Sequence, residues 1–292
     1  MLRERNSKEV LFMASQDRVW FVTGTSTGFG RILAEEVLKA GGKVVATARN
    51  VAQIADLEQQ YPGRAKAIAL DVTSKQQSEA AVAQAIEAFG RIDVLVNNAG
   101  YGLAGAVEEA SDEEIKRQID TNVYGVLYVT RAALPHLRKQ CSGHILNLSS
   151  ILGLTAMPGF SFYSLTKFAV EGLSEGLAAE LAPLGIKVTL VEPGPFRTDF
   201  ASRSAVFTST EIDDYKQTAG KTREYLRTIS GTQKGDPLRA VHALMEIVES
   251  TDPPLHLLLG SVAYTRYRGK LKQLDEELSK WEQVSLGADF PV

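Results

Sequence analysis

From residue 18 to about residue 260, short apolar runs alternate with helical stretches almost without a break. "RVWFV" (18–22), "KVVATAR" (43–49), "AKAIALDV" (65–72), "RIDVLVNNAG" (91–100), "GHILNLSS" (143–150), "IKVTLVEPG" (186–194) and "LHLLLGS" (255–261) read as strands. Between them lie helices: "GRILAEEVLKAGG", stopped by Gly41 and Gly42; "VAQIADLEQQYPG"; "SKQQSEAAVAQAIEAFG", capped by Ser74; and "DPLRAVHALMEIVES". Two longer helical stretches run from about Ser111 to Arg138 and from Ser161 to Leu184. Several strands are continuous apolar runs, which suits a parallel sheet covered on both faces. The expectation is one doubly wound α/β domain of the Rossmann type over 17–262, with residues 1–16 as an N-terminal extension. Met13 is an alternative start, which would make residues 1–12 an upstream or disordered arm.

Two regions break the rhythm. Residues 194–235 are long and polar with scattered aromatics, as a substrate lid would be. After the last strand, Leu271, Leu274, Leu278 and Trp281 recur at helical spacing, so 263–292 is expected to be an amphipathic helix and tail, packed on the body or on a partner subunit.

Composition removes several classes of function. A net charge of −3, with basic residues scattered among acids, gives no footprint for nucleic acid. No apolar run reaches the 18 or more residues of a membrane span. The one cysteine, Cys141, excludes an internal disulfide and favours a reducing compartment, so a cytoplasmic location is expected. His136, His144, His242 and His256 lack ligand spacing, and no metal site is expected.

"VTGTSTGFG" lies between the first strand and the first helix, where open α/β sheets bind dinucleotide phosphates. Gly24, Gly28 and Gly30 let backbone N–H groups approach an anion, and Ser26 and Thr27 add hydroxyl donors. The second strand ends in Ala48 and Arg49, not in the acid that reads a ribose 2′-hydroxyl. An arginine there suits a 2′-phosphate, the alternative being a surface arginine at a strand end. Asp71, at the end of the third strand, is a candidate adenine contact, and "NNAG" (Asn97 to Gly100) reaches the same edge. In "FSFYSLTKFAV" (160–170), Tyr163 and Lys167 share one helix face. They form either an acid with a cationic neighbour or a snorkelling lysine beside a satisfied tyrosine.

"TGTSTGFG", "NNAG", "NVYG", "SS" followed by "YSLTK", and "PGPFRT" occur in the order found in the short-chain dehydrogenase/reductases. The chain resembles the soluble, roughly 250-residue branch of that family over about 17–260, and on "NNAGYG" and "VEPGPFRTDF" it is similar to the hydroxysteroid and retinol dehydrogenase-like members. The resemblance implies a catalytic tetrad of Asn122, Ser150, Tyr163 and Lys167, with Ser149 a weaker substitute for Ser150. It implies a cofactor site at Gly24, Ser26, Thr27, Gly28, Gly30, Arg49, Asp71, Asn98, Gly100, Tyr163, Lys167, Pro193, Gly194 and Thr198, with NADP(H) preferred over NAD(H) through Arg49. Asn122 would bend its helix and hold a water in the proton path, and Lys167 would lower the Tyr163 pKa. Helices near 111–138 and 161–184 would form a homodimer or homotetramer.

The expected substrate is a small lipophilic carbonyl or alcohol, faced by Leu103, Leu154, Met157, Phe160, Phe196, Phe200, Phe207 and Tyr215. A silent dinucleotide-binding sensor or scaffold is the alternative; an epimerase or dehydratase fits less well, because of the glycine spacing.

Overall fold

A computed structural model describes residues 18–290. The expected N-terminal extension, residues 1–16, lies wholly outside these residues. Seven strands form one parallel sheet: β1 (Val19–Val22), β2 (Lys43–Ala48), β3 (Ala65–Ala69), β4 (Val94–Asn97), β6 (Gly143–Leu148), β7 (Ile186–Pro193) and β9 (His256–Leu259), in the order β3-β2-β1-β4-β6-β7-β9. The register is continuous, with Phe21 opposite Val45 on one side and Leu95 on the other.

Both faces are covered, as the unbroken apolar strands require. Helices α1 (Gly28–Lys39) and α8 (Pro237–Glu249) pack on one face, where Leu33, Val37, Val241 and Leu244 meet Trp20 and Val22. On the other face α3 (Lys75–Phe89), α5 (Gly125–Gln140) and α6 (Ser161–Leu181) set Val82, Val129, Leu137 and Leu177 against Phe21, Leu95 and Ile145. Ser74 caps α3 as expected, its Oγ accepting the Gln77 N–H at 3.2 Å.

Local details differ from the sequence reading. Residues 51–63 hold a 3-10 turn and then the short helix α2 (Ala55–Gln60), not one helix. The stretch from Ser111 splits into α4 (Asp112–Ile119), a π-helical turn (Asp120–Tyr124) and α5.

The polar segment after β7 is folded. Its strand β8 (Ala205–Phe207) pairs with β5 (Gly102–Ala104), and its helix α7 (Lys221–Ile229) follows. A buried ion pair pins it to the body: Arg223 Nη2 lies 2.5 Å from Glu109 Oε2 and donates to Thr208 Oγ1 at 2.7 Å. Burial pushes the Glu109 carboxyl up, yet Arg223 and the N–H groups of Ile212 and Ala106 hold it below the usual range.

The terminal helix α9 (Ser261–Leu286) does not lie on the body over its full length. Leu271, Leu274, Leu278 and Trp281 are 40%, 39%, 68% and 57% exposed.

Candidate active site

A cleft of about 950 Å³ opens at the carboxyl edge of the sheet, where the strand order reverses between β1 and β4. One end is built by the glycine turn. Gly24 adopts φ 70° and Gly28 φ 59°, a region closed to most side chains. A Cβ on Gly30 would stand 2.4 Å from the Gly24 carbonyl oxygen and 2.5 Å from the Asn98 amide nitrogen. Asn98 is the brace: Nδ2 donates to the carbonyls of Thr23 (2.8 Å) and Gly24 (3.0 Å). Thr27 occupies the N-cap of α1 without a side-chain capping bond, so no side chain claims the first-turn N–H groups.

Ser26, Thr27, Gly28, Asp71, Asn98, Gly100, Pro193, Gly194 and Thr198 all line this cleft with Gly24. Gly30 acts from behind, through the turn it permits. Arg49 lines the cleft too; it is exposed and forms no ion pair among the described residues. Asp71 Oδ1 accepts from the Thr73 N–H (3.0 Å) and hydroxyl (2.8 Å), which fixes the turn after β3.

At the other end Ser150, Tyr163 and Lys167 converge. Ser150 follows β6, and its Oγ accepts the Leu152 N–H at 3.1 Å, which leaves its own hydrogen free. That hydroxyl draws the Tyr163 phenol toward its ionised form. Tyr163 and Lys167 stand one turn apart on α6, both buried, with Lys167 Nζ 5.7 Å from the Tyr163 ring centroid. Nζ donates to the Leu148 carbonyl at 2.5 Å. Burial pushes the phenol up to about 12, against the pull of Ser150, and pushes the ammonium down to about 8, against the pull of Glu171. In the protein itself, desolvation therefore outweighs the lysine's effect on the tyrosine expected from sequence.

Asn122 sits in the π-helical turn, where a helix carries one extra residue. Its Oδ1 accepts the Tyr101 N–H (3.0 Å), and Nδ2 donates to the Tyr101 carbonyl (2.8 Å) and Thr166 Oγ1 (3.0 Å). The side chain thus ties the turn after β4 to α6. It does not line the cleft.

Of the apolar candidates, Leu103, Met157, Phe160, Phe196 and Phe200 line the cleft; Leu154, Phe207 and Tyr215 do not. Phe207 lies under the Arg227 guanidinium, and the Tyr215 hydroxyl donates to Glu108 at 2.7 Å. Leu152, Tyr225, Leu226 and Val262 line it without having been foreseen.

Behind Lys167 lies a group that sequence reading passed over. Glu171, one turn further along α6, accepts a short hydrogen bond from Ser149, the neighbour of Ser150. Glu192 of β7 is fully buried beside it, and His256 Nδ1 is 2.7 Å from Glu192 Oε1 and 3.6 Å from Glu171 Oε2. Linear spacing gave His256 no ligand-type neighbours; the β7–β9 pairing supplies Glu192, and α6 supplies Glu171. Burial raises both carboxyls to about 7, so the pair holds a proton where isolated carboxyls would not.

A parallel α/β sheet with a braced glycine turn at its switch point and a buried Ser–Tyr–Lys group facing it defines a dinucleotide-dependent enzyme. Residues 18–206 match the family described as short chain dehydrogenase, and the chain belongs to that family: an enzyme acting on CH–OH and C=O with NAD(P). It is 41% identical over 273 residues to oxidoreductase BOA17 of Botryotinia fuckeliana, covering 93% of this chain and 99% of the relative. It is 44% identical, with a TM-score of 0.88, to a crystal structure of a short-chain dehydrogenase from Streptomyces avermitilis, over 94% of this chain and 99% of that one. Similar solved structures carry nucleotide. ElxO with NADP bound is 30% identical (TM-score 0.68, 83% of this chain and 96% of that one). The 3-ketoacyl-(acyl-carrier-protein) reductase of Brucella melitensis, complexed with NADH, is 28% identical (TM-score 0.70, 84% and 97%).

Proposed function

We propose that the protein is an NADP(H)-dependent oxidoreductase that interconverts a lipophilic ketone or aldehyde and its alcohol, with Tyr163 as acid and base. The observation that carries this reading is the convergence of Ser150, Tyr163 and Lys167 at the apolar end of a cleft whose far end is the glycine turn. The uncapped first turn of α1 and the φ values of Gly24 and Gly28 fit a pyrophosphate. Unpaired Arg49 at the end of β2 fits a 2′-phosphate. The structures holding NADP and NADH support the nicotinamide class, and Arg49 selects NADP(H) within it.

The nicotinamide supplies or accepts the hydride when bound. The remaining chemistry belongs to the chain. Leu103, Leu152, Met157, Phe160, Phe200 and Leu226 exclude water around the reacting carbon. In the reductive direction the Tyr163 hydroxyl gives its proton to the carbonyl oxygen, and Ser150, whose Oγ hydrogen is free, donates to that oxygen as charge develops. Lys167 keeps a cation beside the phenolate that remains and passes a proton toward it, along a path Asn122 borders: a Cβ on Gly100 would meet Asn122 Oδ1 at 3.1 Å and Lys167 Nζ at 3.8 Å.

Exposed Tyr124, Leu165 and Phe168, on the helices around α5 and α6, support a homodimer or homotetramer through that face. The lone cysteine fits the cytoplasm, and among the described residues no helix is long and apolar enough to cross a membrane.

The test is a titration with NADPH and NADH, followed by absorbance-monitored turnover on lipophilic ketones. Tight NADPH binding with consumption is expected. Tight binding without turnover on any ketone would favour a sensor, and preference for NADH would remove the role given to Arg49.

A further inference from the structure

Helix α9 is 26 residues long, and Ala263 is the one residue in it that is buried. It meets the body through its first two turns, where Arg266 Nη2 donates to the Ala156 carbonyl at 2.8 Å and Tyr267 packs against the apolar cluster that includes Phe160 and Leu226. Every residue from Leu271 to Leu286 is exposed. Most helical stability in proteins comes from packing an amphipathic face, so an apolar face left open here calls for an occupant.

The stripe identifies that occupant. Tyr264, Leu271 and Leu278 alternate with Tyr267, Leu274 and Trp281 at spacings of three and four, the heptad pattern of helix pairing. The charges beside the stripe then select a register. With Leu271 opposite the second copy's Leu274 in an antiparallel pair, Lys270 faces the second copy's Glu277, and Arg268 faces its Asp275. Two-fold symmetry makes each of these opposite-charge contacts twice. Sliding one heptad one way sets Lys270 against Lys270 and Arg268 against Arg268; sliding the other way sets Glu277 against Glu277 and Asp275 against Asp275. A parallel pair places Lys270 beside the second copy's Asp275 but Glu277 beside its Glu282, so attraction and repulsion offset each other.

We propose that α9 pairs antiparallel with α9 of a second copy of this chain, about a two-fold axis between Leu271 and Leu274. A bilayer is the poorer occupant. Arg266, Arg268, Lys270, Lys272 and Lys280 are nearly balanced by Asp275, Glu276, Glu277 and Glu282, so the helix, with five cations and four acids, offers anionic lipid a net charge of only +1.

The experiment is molar mass by light scattering on the full chain across a dilution series. Leu278→Glu should halve the assembly mass. Glu277→Lys, which sets Lys270 against a lysine, should raise the dissociation constant at least tenfold, and Lys270→Glu with Glu277→Lys should restore it. The charge pair tests the register without touching the apolar stripe, and retained NADPH binding reports an intact fold. A wild-type chain that is monomeric, a Leu278→Glu variant of wild-type mass, or a double variant no tighter than the single one would overturn the proposal. So would a gain in affinity from Glu277→Lys alone, the signature of the parallel pair. Co-sedimentation with anionic vesicles, with mass unaffected by the charge variants, would assign the face to membrane instead.

Discussion

At the scale of single residues, Tyr163 and Lys167 show what burial does to a phenol and an ammonium one helix turn apart. Each is dry, and desolvation drives each toward its neutral form, the phenol to about 12 and the ammonium to about 8. A neutral phenol beside Ser150 is the donor that the proposed carbonyl reduction needs. Tyr163→Phe removes that proton and leaves the packing against Phe160 and Phe200, whose ring centroids lie 5.5 and 5.6 Å away. Turnover should fall by about 10²–10⁴, the usual weight of a general acid, while NADPH binding is retained on titration. Arg49→Asp should move the ratio of kcat/KM values from NADPH toward NADH, since an acid repels a 2′-phosphate and accepts a bond from a 2′-hydroxyl. An unchanged ratio would make Arg49 a bystander. Tyr163, Lys167 and Arg49 were legible because fixed spacing on one helix face, or the end of a strand, already places them. Glu171, Glu192 and His256 were not, because no linear spacing relates α6, β7 and β9.

At the scale of elements, the segment after β7 depends on one buried ion pair. Arg223 comes from α7 and Glu109 from the turn before α4, 114 residues apart in sequence. Both side chains are almost wholly buried, and Glu109 also takes the Ile212 N–H at 2.8 Å. Arg223→Met would leave that carboxylate dry and without its cation. Such losses cost about 3–5 kcal/mol, and we expect urea denaturation to report a change of that order. Because α7 carries Tyr225 and Leu226 into the cleft, KM should rise more than kcat falls. The sequence marked this segment as long and polar. It could not distinguish a loose lid from a folded one, since the pairing of β8 with β5 and the Arg223–Glu109 contact are both tertiary.

At the scale of the whole molecule, the Glu171–Glu192–His256 group joins α6, β7 and β9 just behind Lys167. Folding raises the pair's pKa from the ordinary 4.5 to about 7. The folded state therefore binds a proton more tightly than the unfolded chain, and the pair's contribution to stability is fully present below about 4.5 and lost as pH rises through about 7. Glu192→Gln removes the second titrating carboxyl. The difference in melting temperature between pH 5 and pH 8 should shrink, by roughly 2–4 °C for each kcal/mol the pair contributes. A variant with the wild-type pH dependence would mean that the pair does not share its proton.

The sequence by itself determined the parallel sheet, the glycine turn and the placement of Ser150, Tyr163 and Lys167. Unbroken apolar strands admit only a sheet covered on both faces, and a four-residue spacing on a helix fixes a shared face whatever lies around it. Only the tertiary structure decided which apolar residues reach the cleft, that the polar segment is folded onto Glu109, and that α9 leaves the body with its apolar stripe uncovered. It also brought two buried glutamates and a histidine together behind Lys167. These features depend on contacts between residues far apart in the chain, and burial, which sets their charge and their partners, is a property of the packed molecule.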